Sequence, residues 1–163
     1  MKYVNVFQGF ATRSGCIGMA LALLLLAGCG DSGPKLTKVQ GKVLCDGQPL
    51  ANALVTLLPT GSTDDDRRAC TGTTSESGEY VLASSWGPGA VPGEYKVTVS
   101  QMTKADGSPL VAMGEGLDLT QMRMQPGSKE RLPSKFSSAA ETTLTAVIGE
   151  SQDTPLELSV TSQ

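Results

Sequence analysis

The residues able to do chemistry in this chain of 163 are few and scattered. Histidine is absent, so imidazole is excluded as general base, proton shuttle or metal ligand. Four cysteines stand at positions 16, 29, 45 and 70. Asp64, Asp65 and Asp66, with Asp46, offer carboxylate oxygens of the kind Ca²⁺ takes. That run lacks the alternating ligands and glycine of a calcium loop, and Arg67 and Arg68 follow it at once, which reads more simply as a solvated loop tip. Met102, Met113, Met122 and Met124 carry soft thioethers suited to Cu(I). Without a histidine beside them they read better as gap-fillers under a long loop. Ser32-Gly33-Pro34-Lys35 has S-x-x-K spacing, but a Gly-Pro stretch supplies neither the helix start nor the cleft that such a nucleophile needs. Glu76 and Glu79 are an acid–base pair or merely the polar rim of a turn. Trp86, beside Gly87-Pro88-Gly89, is the candidate ligand contact, as a stacking platform for a sugar or peptide; the plainer reading is a half-buried edge residue. These groups converge on no recognisable constellation. The expectation is a protein that is not an enzyme, with no catalytic residue, no metal site and no cofactor.

The elements that must position these residues begin with a leader. Met1 to Cys16 carries Lys2 and Arg13 and no acid, and Ile17 to Ala27 is an apolar run of 11 residues. A membrane-crossing helix needs about 20, whereas a secretory h-region needs roughly 7–15. The run ends in Leu26-Ala27-Gly28-Cys29, which resembles the lipobox of bacterial lipoproteins. The resemblance implies cleavage before Cys29, lipidation of its thiol and acylation of its amine, giving several acyl chains where one would hold only marginally. Residues 1–28 are then a lipoprotein signal peptide. Residues 29–37, polar with Gly and Pro, are a lipidated tether. Gly30, not Asp, follows Cys29, which favours the outer over the inner membrane of the cell envelope. The mature 135 residues would carry 11 basic and 16 acidic groups, a net of −5. That balance leaves a phosphate backbone unneutralised and excludes nucleic acid as a natural partner.

Beyond position 38 the apolar residues alternate in short runs between turn signals. Val39 to Cys45, Ala53 to Leu58, Cys70 to Thr74, Glu79 to Ser84, Glu94 to Val99, Thr142 to Ile148 and Leu156 to Val160 read as about seven strands. Asp46-Gly47 is a turn signal because glycine takes a positive φ without steric cost. A long insertion at 101–130 interrupts the series, with a short helix expected over 117–124. Short strands with regular turns predict an all-β antiparallel sandwich over residues 38–163. Its core must rest on branched aliphatics, since Tyr80, Trp86, Tyr95 and Phe136 are the only aromatics after residue 28.

Three segments carry a second resemblance: VQGKVLCDGQPLANALV from Val39, TSESGEY from Thr74 and PGEYKVTV from Pro92. Together they look like the carboxypeptidase regulatory-like domain, and Arg131 to Phe136 with Thr142 to Val147 looks like its closing part. The resemblance implies a transthyretin-like Greek-key β-sandwich, displayed by envelope lipoproteins without catalytic residues. Its motifs are turn glycines, prolines and strand apolars, which specify a fold far better than an activity. Family members often have Asp where Ser75 stands, so the turn is expected to lack that side-chain bond.

Cys45 and Cys70 are the thiols left once Cys16 is removed and Cys29 lipidated. Both stand at strand ends, and an exported compartment permits a disulfide between them, against the alternative of two separate buried thiols. The expected function is a non-catalytic, lipid-anchored envelope module with a structural or protein-interaction role. Its partners would be the membrane, through the lipid on Cys29, and an envelope protein. The alternative is a lipoprotein that binds a small ligand, sugar or metal, at the 101–130 segment or near Trp86. A pocket with convergent polar groups at that segment would favour it.

Overall fold

The computed structural model describes residues 33–61, 66–110, 119–151 and 154–162. The leader, Cys29, Asp64, Asp65 and Met113 lie outside them. Residues Pro34–Gln163 form one compact unit. It is mostly β, as the alternating pattern predicts. The strands are β1 (Gln40–Cys45), β2 (Gln48–Pro49), β3 (Leu54–Pro59), β4 (Cys70–Thr73), β5 (Glu79–Val81), β6 (Ala83–Ser84), β7 (Gly87–Pro88), β8 (Gly93–Ser100), β9 (Met102–Thr103), β10 (Lys129–Glu130), β11 (Thr145–Ile148) and β12 (Leu156–Val160). Two short helices among the described residues, α1 (Leu119–Met124) and α2 (Ser134–Ser137), complete the order.

The larger sheet runs β11-β8-β3-β4-β6-β7, antiparallel throughout. The smaller has β1 at its centre, with β12 on one side and β2 and β5 sharing the other. One pairing departs from the antiparallel expectation: β1 and β12 run parallel, Gly41 opposite Leu156 through Cys45 opposite Val160. The inward residues of both sheets meet in one core. Val43 and Cys45 come from β1, Val55 and Leu57 from β3, Tyr95, Val97 and Val99 from β8, Ile148 from β11, and Leu158 and Val160 from β12. Period-two alternation therefore produces a sandwich-like body whose aliphatic side chains contribute roughly 25 cal/mol per Å² buried.

The segment read as one strand, Glu79 to Ser84, is divided. β5 pairs with β1 in the smaller sheet, whereas β6 pairs with β4 in the larger. The switch falls at Leu82, which is fully buried; its N–H donates to the Val39 carbonyl and its own carbonyl accepts from Gly89. One apolar residue thus turns a corner between sheets while the alternation continues unbroken. The Asp46-Gly47 turn is as expected: both residues have positive φ, 51° and 79°, in a two-residue hairpin joining β1 to β2.

The segment between β8 and α2 is closed at its base by β9 pairing with β10. Met102, Leu110 and Met122, with Leu119 packed against them, make a small core of its own. Glu130 holds both strands of the base. Its carboxylate accepts the Ser100 hydroxyl, the Gln101 N–H at 2.9 Å and the Leu132 N–H at 3.1 Å. Gln101, almost fully buried, donates to the Ala51 carbonyl at 2.5 Å and accepts from Arg131 at 2.8 Å.

Candidate functional site

The outer face of the larger sheet forms the floor of a groove of about 590 Å³. Alternation puts Val55 and Leu57 inward, so Leu54, Thr56 and Leu58 of β3 face outward. Register then aligns three threonines from three strands. Thr56 stands opposite Thr71 of β4 on one side and opposite Thr98 of β8 on the other. The walls are Leu119, Thr120 and Arg123 of α1, and Ser137, Ser138 and Ala139 at the end of α2. The Ser137 hydroxyl turns away, donating to the Pro133 carbonyl at 3.2 Å. Thr56, Thr71 and Thr120 are partly or well exposed, each hydroxyl able to donate and accept, whereas Thr98 is buried.

The lining decides what the groove can do. Among the described residues Arg123 is its one ionisable side chain. Leu54, Leu58 and Leu119 supply apolar surface, the threonine row supplies orientation and Arg123 favours neutral or anionic groups. A volume of this size lies within the range of small-molecule sites.

A second concavity, about 560 Å³, opens on the smaller sheet and is lined by Lys42, Glu79, Tyr80 and Glu157 among others. Lys42 stands in register between Glu79 on β5 and Glu157 on β12. Opposite charges across adjacent strands stabilise a sheet by a few tenths of a kcal/mol each, roughly 0.2–1. We read this row as a cross-strand ladder.

The residues singled out from the sequence are mostly kept apart. The expected disulfide is corrected: Cys45 and Cys70 are two separate buried thiols. They belong to different sheets, and each sulfur faces an oxygen, Asp46 Oδ2 at 3.5 Å for Cys45 and the Arg68 carbonyl at 3.3 Å for Cys70. Burial pushes the Cys70 thiol up to about 11 from an ordinary 9.0. The Cys45 thiol is also raised, first by burial and then by its bond to the Asp46 carboxylate.

Glu79 accepts the Ser77 hydroxyl at 3.1 Å on the rim of the turn. The expectation that Ser75 leaves that turn without a side-chain bond is also overturned. Its hydroxyl accepts the Glu79 N–H at 3.2 Å and meets Ser77 Oγ at 2.9 Å. Asp46 is drawn to the chain end, accepting the Ser162 hydroxyl at 2.7 Å and N–H at 3.2 Å. The methionines diverge: Met102 and Met122 are buried in the small core, and Met124 is 78% exposed. No group of three or more Cys, Asp or Glu with metal-binding geometry occurs among the described residues.

Trp86 occupies the tip of the two-residue hairpin between β6 and β7 and is 43% exposed. Its indole N–H donates to the Asp66 carbonyl at 2.8 Å, and the Arg68 guanidinium lies 5.6 Å from the ring centroid. Lys35 pairs with Glu150 at 2.8 Å. The sequence reading named the 101–130 segment, which supplies one wall through α1, but not the sheet face that forms the floor. The signal for it was the outward half of the alternation in LVTLL and KVTV, whose threonines align only once register is known.

No protein-family model, no curated protein and no solved structure matches this chain.

Proposed function

We propose that this chain is a lipid-anchored module of the cell envelope, cut before Cys29 and held by acyl chains on that residue, with the outer membrane favoured. Its folded part is read as a transthyretin-like Greek-key sandwich that displays surfaces to an envelope protein and makes or breaks no bonds. The observation that carries this reading is the order of the sequence: an apolar run, Leu26-Ala27-Gly28-Cys29 at its end, a short polar stretch, and a β-domain from Pro34. The carboxylates of the domain support it. Glu130, Asp46 and Glu79 each hold neighbouring donors in place. Intact mass of the purified native protein tests the anchor. The expected value is that of residues 29–163 plus diacylglycerol and an amide-linked acyl chain; an unprocessed leader refutes it. Cross-linking in whole envelopes should capture a reproducible protein partner, and turnover of any substrate by purified material would refute the non-catalytic role.

The groove favours a second reading, a lipoprotein that binds a small ligand. Its row of hydroxyls beside Leu54, Leu58 and Leu119 fits a neutral polyhydroxyl compound. Thermal shifts with a panel of mono- and disaccharides test it. A saturable shift that Thr98→Val reduces supports the reading, and no shift across the panel counts against it.

A further inference from the structure

The entry of the chain into the fold is fixed at one place. Thr37 exchanges both backbone hydrogen bonds with Ala90, at 2.8 and 2.9 Å, and its hydroxyl donates to the Gly149 carbonyl at 2.8 Å. Lys35 is tied to Glu150 just before it. Leu36 lies against the β6–β7 hairpin, since a Cβ built on Gly87 would stand 3.6 Å from Leu36 Cδ1. Trp86 is the tip residue of that same hairpin. Of the aromatics beyond the leader it alone is exposed; Tyr80, Tyr95 and Phe136 are buried. Arg68 covers part of its ring, an arrangement that keeps a cation at the same level as the indole.

Covalent geometry limits how far this hairpin can stand from Cys29. Leu36 is the seventh residue after Cys29, a fully extended reach of about 25 Å. A domain joined by so short a chain presents to the bilayer the end at which the chain enters. Tryptophan prefers the water–lipid interface, where its ring meets apolar surface and its edge stays wet. Lys35 and Glu150 pair with each other. The indole is therefore taken as the element that selects the surface.

We propose that the Trp86 hairpin, with Arg68, rests in the headgroup layer of the bilayer that holds the Cys29 lipid. The inference rests on the lipid-anchor reading and adds an orientation to it: the hairpin end faces lipid, and the rest of the sandwich faces away.

Trp86 is the single tryptophan of the chain, so its fluorescence reports this position alone. The native lipidated protein is reconstituted into phosphatidylcholine–phosphatidylethanolamine vesicles, with and without a spin label on the lipid headgroup. The expected result is a roughly twofold loss of emission with the headgroup label, and less with a label deep in the acyl chain. Mass spectrometry of the N-terminal peptide is run on the same sample. A lipidated, vesicle-bound protein whose Trp86 is unquenched overturns this orientation and leaves the anchor standing. A protein without lipid on Cys29 overturns the anchor, and this inference with it.

Discussion

Gly41 is where a single methyl group should do the most damage. It lies on the inward face of β1, between Tyr80 on β5 and Leu156 on β12. The Tyr80 hydroxyl reaches across this position to donate to the Leu156 carbonyl at 2.9 Å. A Cβ at residue 41 would stand 1.9 Å from that carbonyl oxygen and 2.7 Å from the Tyr80 hydroxyl. The nearer obstacle is backbone, so β12 must move away from β1 or the smaller sheet must open. Overpacking of a core costs typically 1–3 kcal/mol. Losing the tyrosine bond while its oxygen stays buried adds roughly 1–3 kcal/mol. Gly41→Ala should therefore cost about 4 kcal/mol, out of a total stability on the order of 5–15 kcal/mol for a domain of this size. At about 4 °C per kcal/mol, the melting temperature should fall by roughly 15 °C. Denaturant unfolding followed by Trp86 fluorescence and by circular dichroism measures the loss. Tyr80→Phe is the control, expected to cost about 1 kcal/mol. In the double variant it should not restore Gly41→Ala, because the Leu156 carbonyl remains in place. A Gly41→Ala protein within about 1 kcal/mol of the parent would refute the reasoning, as would full rescue by Tyr80→Phe.

Four further outcomes follow from the same structure. Glu130→Ala leaves the Gln101 and Leu132 N–H groups and the Ser100 hydroxyl without their acceptor, and should destabilise by about 3 kcal/mol. Hydrogen exchange should then quicken first at β9 and β10. The raised Cys70 thiol makes stability fall with alkali. The unfolded thiol ionises from about its ordinary 9.0 and the folded one only at about 11, so stability present below pH 9 is lost between those values. The loss should be no more than about 2 kcal/mol, and Cys70→Ser should flatten the slope. In denaturant, both Cys45 and Cys70 should alkylate without reductant; one protected pair would restore the disulfide. Asp46 is held below the usual carboxylate range by the Ser162 hydroxyl and N–H, so acidification towards and below pH 3.8 should release the chain end. Asp46→Asn should show faster amide exchange at Ser162 already at pH 7.

Local patterns were readable because their causes are local. Alternation in Gln40–Cys45, Leu54–Pro59 and Gly93–Ser100 follows from one buried face per strand, and Asp46-Gly47 follows from the backbone of its own two residues. Leu82 was opaque because both of its hydrogen-bond partners, Val39 and Gly89, are remote from any local signal of a corner. The pairing of Cys45 with Cys70 was misjudged for a related reason. Being at a strand end says nothing about which sheet the strand joins. The bracket of Glu130 on Ser100 and Gln101 spans some thirty residues, and the threonine row needs the register of three strands. Alternation gives each strand its faces but not its neighbours.

The side-by-side placement of β1 and β12 has a consequence for how the molecule is made. Gly41 meets Leu156, a residue made well over a hundred positions later. Until Leu156 to Val160 emerge, β1 lacks one of its flanking strands, and Val39 and Val43 have no lid from Leu158 and Val160. Closing so long a chain segment is slow and entropically costly. The smaller sheet is thus kept from locking until a strand far downstream of β1 has emerged. Removing β12 alone should leave that sheet unable to close.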